Sequence, residues 1–506
     1  VSKYKKSFKK PEPVAKKTWK LKHPLTEEQD ELANSTVRSA IGNAVAGSGK
    51  STTMLELAAR RMVGFKGKAF LTLFSKALQQ DLEPYATDNL SITTKHAMGK
   101  NLFYLNHLRP FVDPKKSVNL LIKELKYDPD GADDSKERKE MWQEIYNIAG
   151  LVSKMKVRLA EWQDLGVVAG INAQYACGAT DLGLAQQLMK LSIEKAKTGW
   201  IDFDDMNYIP VIENFTFREY QLAILDECQD LSPMDAAFFE RCINEETILR
   251  IVGDVRQSIM GFAGADTGMM QKLRNKFSCV DYPISYTFRC GSDIVAAAIA
   301  AGYHDHIKAF HANPQGIFIP NGQFDMFDYA NGTMLLARRN ASLMPYAIKS
   351  HKAGRSVSVL GGGIETQMLQ ILRGSDEIKT VSELIGYVTD QQQYKIEKLN
   401  QTASPKASAI EFINDLYDSL IGIIMECTKV EEVEKFIIEI FKPKKDSLVF
   451  SSIHRSKGRE ADHVVILDAN KITLDMDKMN EEEKQQEINL CYVAYTRAKH
   501  KLELIP

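Results

Sequence analysis

The stretch SAIGNAVAGSGKSTTMLELAARRM, Ser39 to Met62, constrains the fold of this chain more than any other. An apolar, strand-like lead-in gives way to a glycine-rich turn, then to a lysine and a hydroxyl, then to a run with helical periodicity. Small residues from Ala44 to Gly49 allow backbone N–H groups to crowd around an anionic oxygen cluster, because Gly47 and Gly49 carry no Cβ. Lys50 adds a point charge for terminal phosphates. The Ser51 hydroxyl suits Mg²⁺, and the helix that follows turns its positive end toward the anion. The nucleotide-binding set is therefore Ala46, Gly47, Ser48, Gly49, Lys50, Ser51 and Thr52. A strand feeding such a loop belongs to a parallel α/β sheet, whose functional residues gather at strand C-terminal ends.

Composition sets outer bounds. A chain of 506 residues exceeds one ordinary core, and length alone suggests roughly three or four compact units. The formal net charge of −1 gives no global argument for nucleic acid or membrane. Residues 1–22 differ: they are rich in lysine with Glu12 as the only acid, and read as a mobile basic arm, either a solvated tail or a polyanion contact. The seven cysteines are scattered without a C-x-x-C pair, which argues against a disulfide framework or zinc module. No apolar run reaches the ~20 residues of a membrane span and no signal peptide is apparent, so a soluble, cytoplasmic protein is expected.

Along the chain, Thr26 can cap a helix bearing Glu27, Glu28 and Gln29. Strand-like runs alternate with helices to about residue 101, after which a charged helical pattern runs from 102 to 197. The α/β pattern returns over 198–276 and again over 277–364, is interrupted by a second helical insertion over 365–445, and closes over 446–506. Two α/β units, each with a parallel sheet and a mainly helical insertion, are the simplest organisation.

LAILDE sets Asp226 and Glu227 after an apolar strand. Alone it reads as a strand-end turn, but beside a phosphate loop the aspartate suits Mg²⁺ and the glutamate can polarise a water. IVGDVRQS repeats the construction and ends in Gln257, whose amide can sense a γ-phosphate; Phe262 follows and is either a core residue or a ring that stacks on a base. Arg289 in YTFRC and Arg497 in AYTRAKH would each pass for a surface ion pair. Together they can match the charge of a phosphoryl-transfer transition state. Their place in the second unit implies that ATP binds between units.

The order of these motifs resembles the UvrD/Rep/PcrA-like superfamily 1A DNA helicases, from Gln29 to Arg497. The resemblance implies two RecA-like P-loop domains that bind ATP and Mg²⁺ between them and single-stranded DNA or single/double-strand junctions across their top, moving 3′ to 5′ as a monomer. It implies that Gln29 reads adenine, Phe288 stacks on it and Glu460 contacts the ribose, with Lys50, Glu227, Gln257, Arg289 and Arg497 catalytic and Ser51 and Asp226 on the metal. Thr94 and His96 match a DNA-contacting loop. His454 lies in the segment Ser452–Gly458 that links nucleotide state to the DNA track. Phe262 stands where the family has a base-stacking Trp.

Several positions depart from the family pattern. Leu73 takes an aromatic position, with Phe74 one residue later; Met260 and Ala263 replace a common Tyr and Arg; residues 468–485 lack the usual strand-separating hairpin pattern; and the insertion 365–445 is short. The alternatives are a translocase that strips proteins from single strands, an RNA helicase, and a non-catalytic ATP-dependent clamp or loader. A nuclease activity would have to come from a partner. The compact insertions and basic arm suit a phage-like or plasmid-like minimal motor.

Overall fold

The computed structural model describes residues 17, 19–21, 24–73, 76–131, 135–175, 177–259, 261, 266, 268–375, 378–400, 407–473, 476 and 479–506. Most of the basic arm, Phe74, Met260, Phe262 and Ala263 lie outside the described residues. Among the described residues no helix is long and apolar enough to cross a membrane.

Six strands form the first sheet: β1 (Ser39–Ala44), β2 (Ala69–Leu73), β3 (Leu90–Thr94), β4 (Leu222–Leu225), β5 (Ile248–Gly253) and β6 (Val280–Ile284). Their order is β3-β2-β4-β5-β1-β6, all parallel. Every residue of β2 and β4 is buried, as expected for strands with both faces covered. The sequence reading ended the first unit at residue 276; the sheet corrects this. Ala40 pairs with Val280 and Ala44 with Ile284, so β6 closes the first sheet rather than opening the second.

The second sheet comprises β7 (Ile317–Ile319), β8 (Met334–Ala337), β9 (Val357–Leu360), β10 (Leu448–Ser452), β11 (Ala461–Ile466) and β12 (Ala498–Leu504). It too is wholly parallel, in the order β7-β12-β11-β8-β10-β9. Strands β9 and β10 are neighbours although more than eighty residues separate them in sequence, so the segment between them leaves the sheet and returns beside it.

The two insertions consist mainly of helices, but their cores differ. Leu120, Ile148, Val152, Leu188 and Met189 of the first cluster with Met206, Ile209 and Met234 and not with the strands of the first sheet. Leu384, Val388, Leu416, Leu420, Ile437 and Ile440 of the second share one cluster with the strand residues Leu335, Val357, Val359, Leu448 and Phe450.

Candidate nucleotide and nucleic-acid site

Strand β1 delivers the chain into a loop where Gly47 (φ 68°) and Gly49 (φ 72°) adopt left-handed backbone, which lets the helix Lys50–Met62 begin at once. Lys50 is buried, with its Nζ 3.9 Å from Glu227 Oε1. The Ser51 hydroxyl donates to Asp226 Oδ2 at 2.8 Å. Burial and the adjacent Glu227 push the Asp226 carboxyl up to about 7, against the pull of Lys50. Burial acts on Glu227 in the same sense, but Lys50 and the Gln229 amide, which donates to Glu227 Oε2 at 2.5 Å, hold it below its usual value. Of the two acids, Glu227 is thus the one whose charged form its surroundings favour, which suits a base acting on water. A hydroxyl and a carboxylate in direct contact beside a phosphate loop are hard oxygen donors that fit Mg²⁺.

At the end of β5, Gln257 Nε2 donates to Asp254 Oδ2 at 2.6 Å. Across the cleft Arg497 reaches Gln257 Oε1 at 3.5 Å and donates to the carbonyls of Val493 (2.9 Å) and Arg459 (3.0 Å). These acceptors are neutral. Burial and the nearby Arg289 lower the Arg497 guanidinium to about 9, which marks a cation prepared for an anion. Arg289 donates to Glu460 Oε2 at 2.7 Å and to the Thr496 carbonyl at 3.0 Å. Two residues read separately as nucleotide contacts therefore hold each other. Lys457 crosses the cleft as well, donating to both Asp230 oxygens (2.6 and 2.7 Å) and to the Gln257 carbonyl (2.6 Å).

The two units offer opposite ends of their sheets. Asp226 and Asp254 follow strands of the first, whereas Glu460 and Arg497 precede β11 and β12 of the second. The expectation that functional residues gather at strand C-terminal ends describes the first unit; on its nucleotide side the second uses strand N-terminal ends.

Beside the phosphate loop, Gln29 closes a capping box with Thr26, accepting from the Thr26 N–H at 2.9 Å, and donates to the Ser48 carbonyl at 2.9 Å. The Phe288 N–H donates to the Gly47 carbonyl at 2.9 Å, and its ring, 38 % exposed, lies 4.7 Å from Phe310. A side chain at Gly49 would stand 3.3 Å from Gln29 and 3.7 Å from Phe288, so this glycine keeps the space between them open. Glu28 accepts from the N–H and hydroxyl of Ser285, both at 2.6 Å, and so ties the helix bearing Gln29 to the segment bearing Phe288. Thr52 lies in the first turn of the phosphate-loop helix.

A cavity of about 2170 Å³ lies between the insertions and the second sheet, lined among others by Tyr146, Arg158, Arg339, Lys395, Phe412 and His454. His454 lies in the short helix Ile453–Ser456 after β10, and burial together with Arg338, Arg455 and Lys457 lowers its imidazole to about 4. Thr94 spends its hydroxyl on capping the helix Lys95–Leu105. The His96 ring lies 6.3 Å from Phe203, which is 52 % exposed. The sequence reading passes over Phe203; its only signal is a lone aromatic inside IDFDDM.

The chain matches the UvrD/REP helicase N-terminal domain over residues 25–278 and the UvrD-like helicase C-terminal domain over residues 447–505. It belongs to the UvrD/REP helicase family. This family member is 23 % identical over 308 residues to F-box DNA helicase protein 1 of Schizosaccharomyces pombe, covering 57 % of this chain and 34 % of that protein. It is 22 % identical over 363 residues to ATP-dependent DNA helicase UvrD2 of Mycobacterium tuberculosis, covering 60 % and 51 %. The alignments thus span between about a third and a half of these relatives. Gln229, Asp230, Asp254 and Lys457 flank the motif residues singled out in the sequence and tie them together.

Proposed function

We propose that the chain is an ATP-dependent single-stranded DNA translocase and helicase, moving 3′ to 5′ and acting as a monomer on single strands and single/double-strand junctions in the cytoplasm. The observation that carries this reading is the divided phosphate site. Lys50, Ser51, Asp226, Glu227 and Gln257 belong to one unit, Arg497 follows the last helix of the other, and Arg289 is hydrogen-bonded to that second unit. Such a site is complete only when the units approach, so hydrolysis couples to their separation. Lys50 holds the terminal phosphates, Glu227 orients and deprotonates the attacking water, and the two guanidinium groups meet charge as it spreads over equatorial oxygens. Ser51 and Asp226 would hold Mg²⁺, which when bound neutralises phosphate charge. Gln29 and Phe288 receive the base, and Glu460 the ribose. The cavity between the insertions and the second sheet, whose wall carries cations, acids and aromatic rings, supports a single-strand track, and elsewhere Phe203 and His96 offer a stacking surface.

Steady-state ATP hydrolysis with and without single-stranded DNA tests this, with Glu227→Gln as the control. Strong stimulation by DNA, lost by at least 100-fold in the variant, is expected. Indifference to DNA, or response to RNA alone, would overturn it. Unwinding of duplexes bearing only a 5′ tail would reverse the polarity.

A further inference from the structure

The last helix, Glu481–Tyr495, carries two buried polar side chains that reach the first unit and that the reaction as described does not use. Tyr492 is fully buried, and its hydroxyl accepts from the Ala46 N–H of the phosphate loop at 2.8 Å while lying 3.4 Å from Asp254 Oδ2. Asp254 is the acceptor for the Gln257 amide. One turn earlier Asn489, 2 % exposed, donates to the carbonyls of Val255 (3.3 Å) and Ser258 (3.0 Å), on either side of Gln257. Residues three apart on a helix share a face. This face therefore touches the phosphate loop and both flanks of the sensor loop, and the helix ends two residues before Arg497. On its own side Tyr492 is braced by the His304 ring at 5.0 Å.

We infer that Tyr492 and Asn489 are positioning residues: a strut from the second unit that sets the phosphate loop, Gln257 and Arg497 in register when the cleft closes. The catalytic part of this inference rests on the ATPase reading above. A phenol and a carboxamide buried against another unit's backbone would be costly to leave unpaired, so their hydrogen bonds fix where that unit must dock. The consequence is a division of labour. Lys50 and Arg497 supply charge to the nucleotide, whereas Tyr492 and Asn489 touch only protein and decide whether those charges face one another. Removing a positioning residue should slow turnover without weakening ATP binding, because Gln29, Lys50 and Ser51 are all carried by the first unit.

Tyr492→Phe keeps the ring and deletes the hydroxyl. Hydrogen exchange in the nucleotide-free protein should show the Ala46 amide exchanging about tenfold faster, with distant amides unchanged. DNA-stimulated kcat should fall about tenfold while KM for ATP stays within twofold. Asn489→Leu, which keeps the bulk, should reproduce the loss of kcat. A folded Tyr492→Phe with wild-type exchange overturns the strut, and faster exchange with unchanged kcat overturns its coupling to turnover. Wild-type protein that fails to hydrolyse ATP with DNA sinks the motor reading instead, and the exchange measurement still decides the strut.

Discussion

The two insertions interrupt sheets of the same kind and are built in opposite ways. The first has an apolar core that lies off the first sheet and is shared with Met206, Ile209 and Met234, and a buried charge cluster ties it to the segment that follows: Lys156 meets Asp202 and Asp205 at 2.8 Å each, and Lys116 meets Asp205 at 2.6 Å. The second has no core of its own. Its helices pack on the strands, and Arg338, which follows β8, is buried between Glu411 of the insertion and Glu487 of the last helix. Asp415 likewise accepts from Asn340 and the Ala341 N–H, both at 2.7 Å. An insertion whose core lies off its sheet can shift against that sheet, whereas one that shares the sheet's core moves only with it. Among the described residues, the short second insertion therefore packs as part of the second unit.

The largest expected effect comes from breaking the first insertion's charge cluster. Lys156→Met leaves Asp205 with one cation where it had two, and removing one member of a buried pair costs about 3–5 kcal/mol. If the first core is separate, thermal denaturation should resolve an early transition, and proteolysis at intermediate temperature should cut within 102–197 while sparing the second unit. A single shifted transition would mean that the first core is not independent. Next in size is Leu420→Ala, a truncation at a fully buried position that typically costs about 2–5 kcal/mol. Its destabilisation should appear in the same transition as that of Leu335→Ala, on β8, because both side chains lie in one cluster. Separate transitions for the two variants would erase the contrast between the insertions.

The smallest effect concerns the joint between units. Burial raises the Asp230 carboxyl from 3.8 to about 6, against the pull of Lys457. Folded protein thus keeps this proton to about pH 6, while the unfolded chain releases it near 4. Protonation favours the folded form over that window, and the contribution is lost as pH rises from 4 to 6. Asp230→Asn should flatten the slope of melting temperature against pH by a few degrees across this range, and an unchanged slope would assign the slope to other groups.

What could be read from the sequence tracks how local the information is. The loop from Ala44 to Ser51 and the pair Asp226 and Glu227 are written in adjacent residues, and their chemistry follows from residue type and order. The bond from Tyr492 to Ala46 joins positions 446 apart, and that from Lys457 to Asp230 joins positions 227 apart. No periodicity announces such partners. Strand β6 was misassigned for a related reason, because a run such as VDYPI reveals that it is a strand but not which sheet it will edge. The insertion helices were legible as helices. Which surface would receive their apolar faces was not, since amphipathic spacing names a face and not its neighbour.

Gly47 sits where the phosphate loop meets the segment bearing Arg289. A methyl group there would come within 2.5 Å of Arg289 Cβ and 2.9 Å of Thr287 Oγ1, tighter than it stands to any other part of the chain. The residue is small to let phosphate in, yet what presses on it most closely is protein. A single added carbon at this position would act as a wedge, jamming the jaws ajar where they press most closely on the phosphate loop.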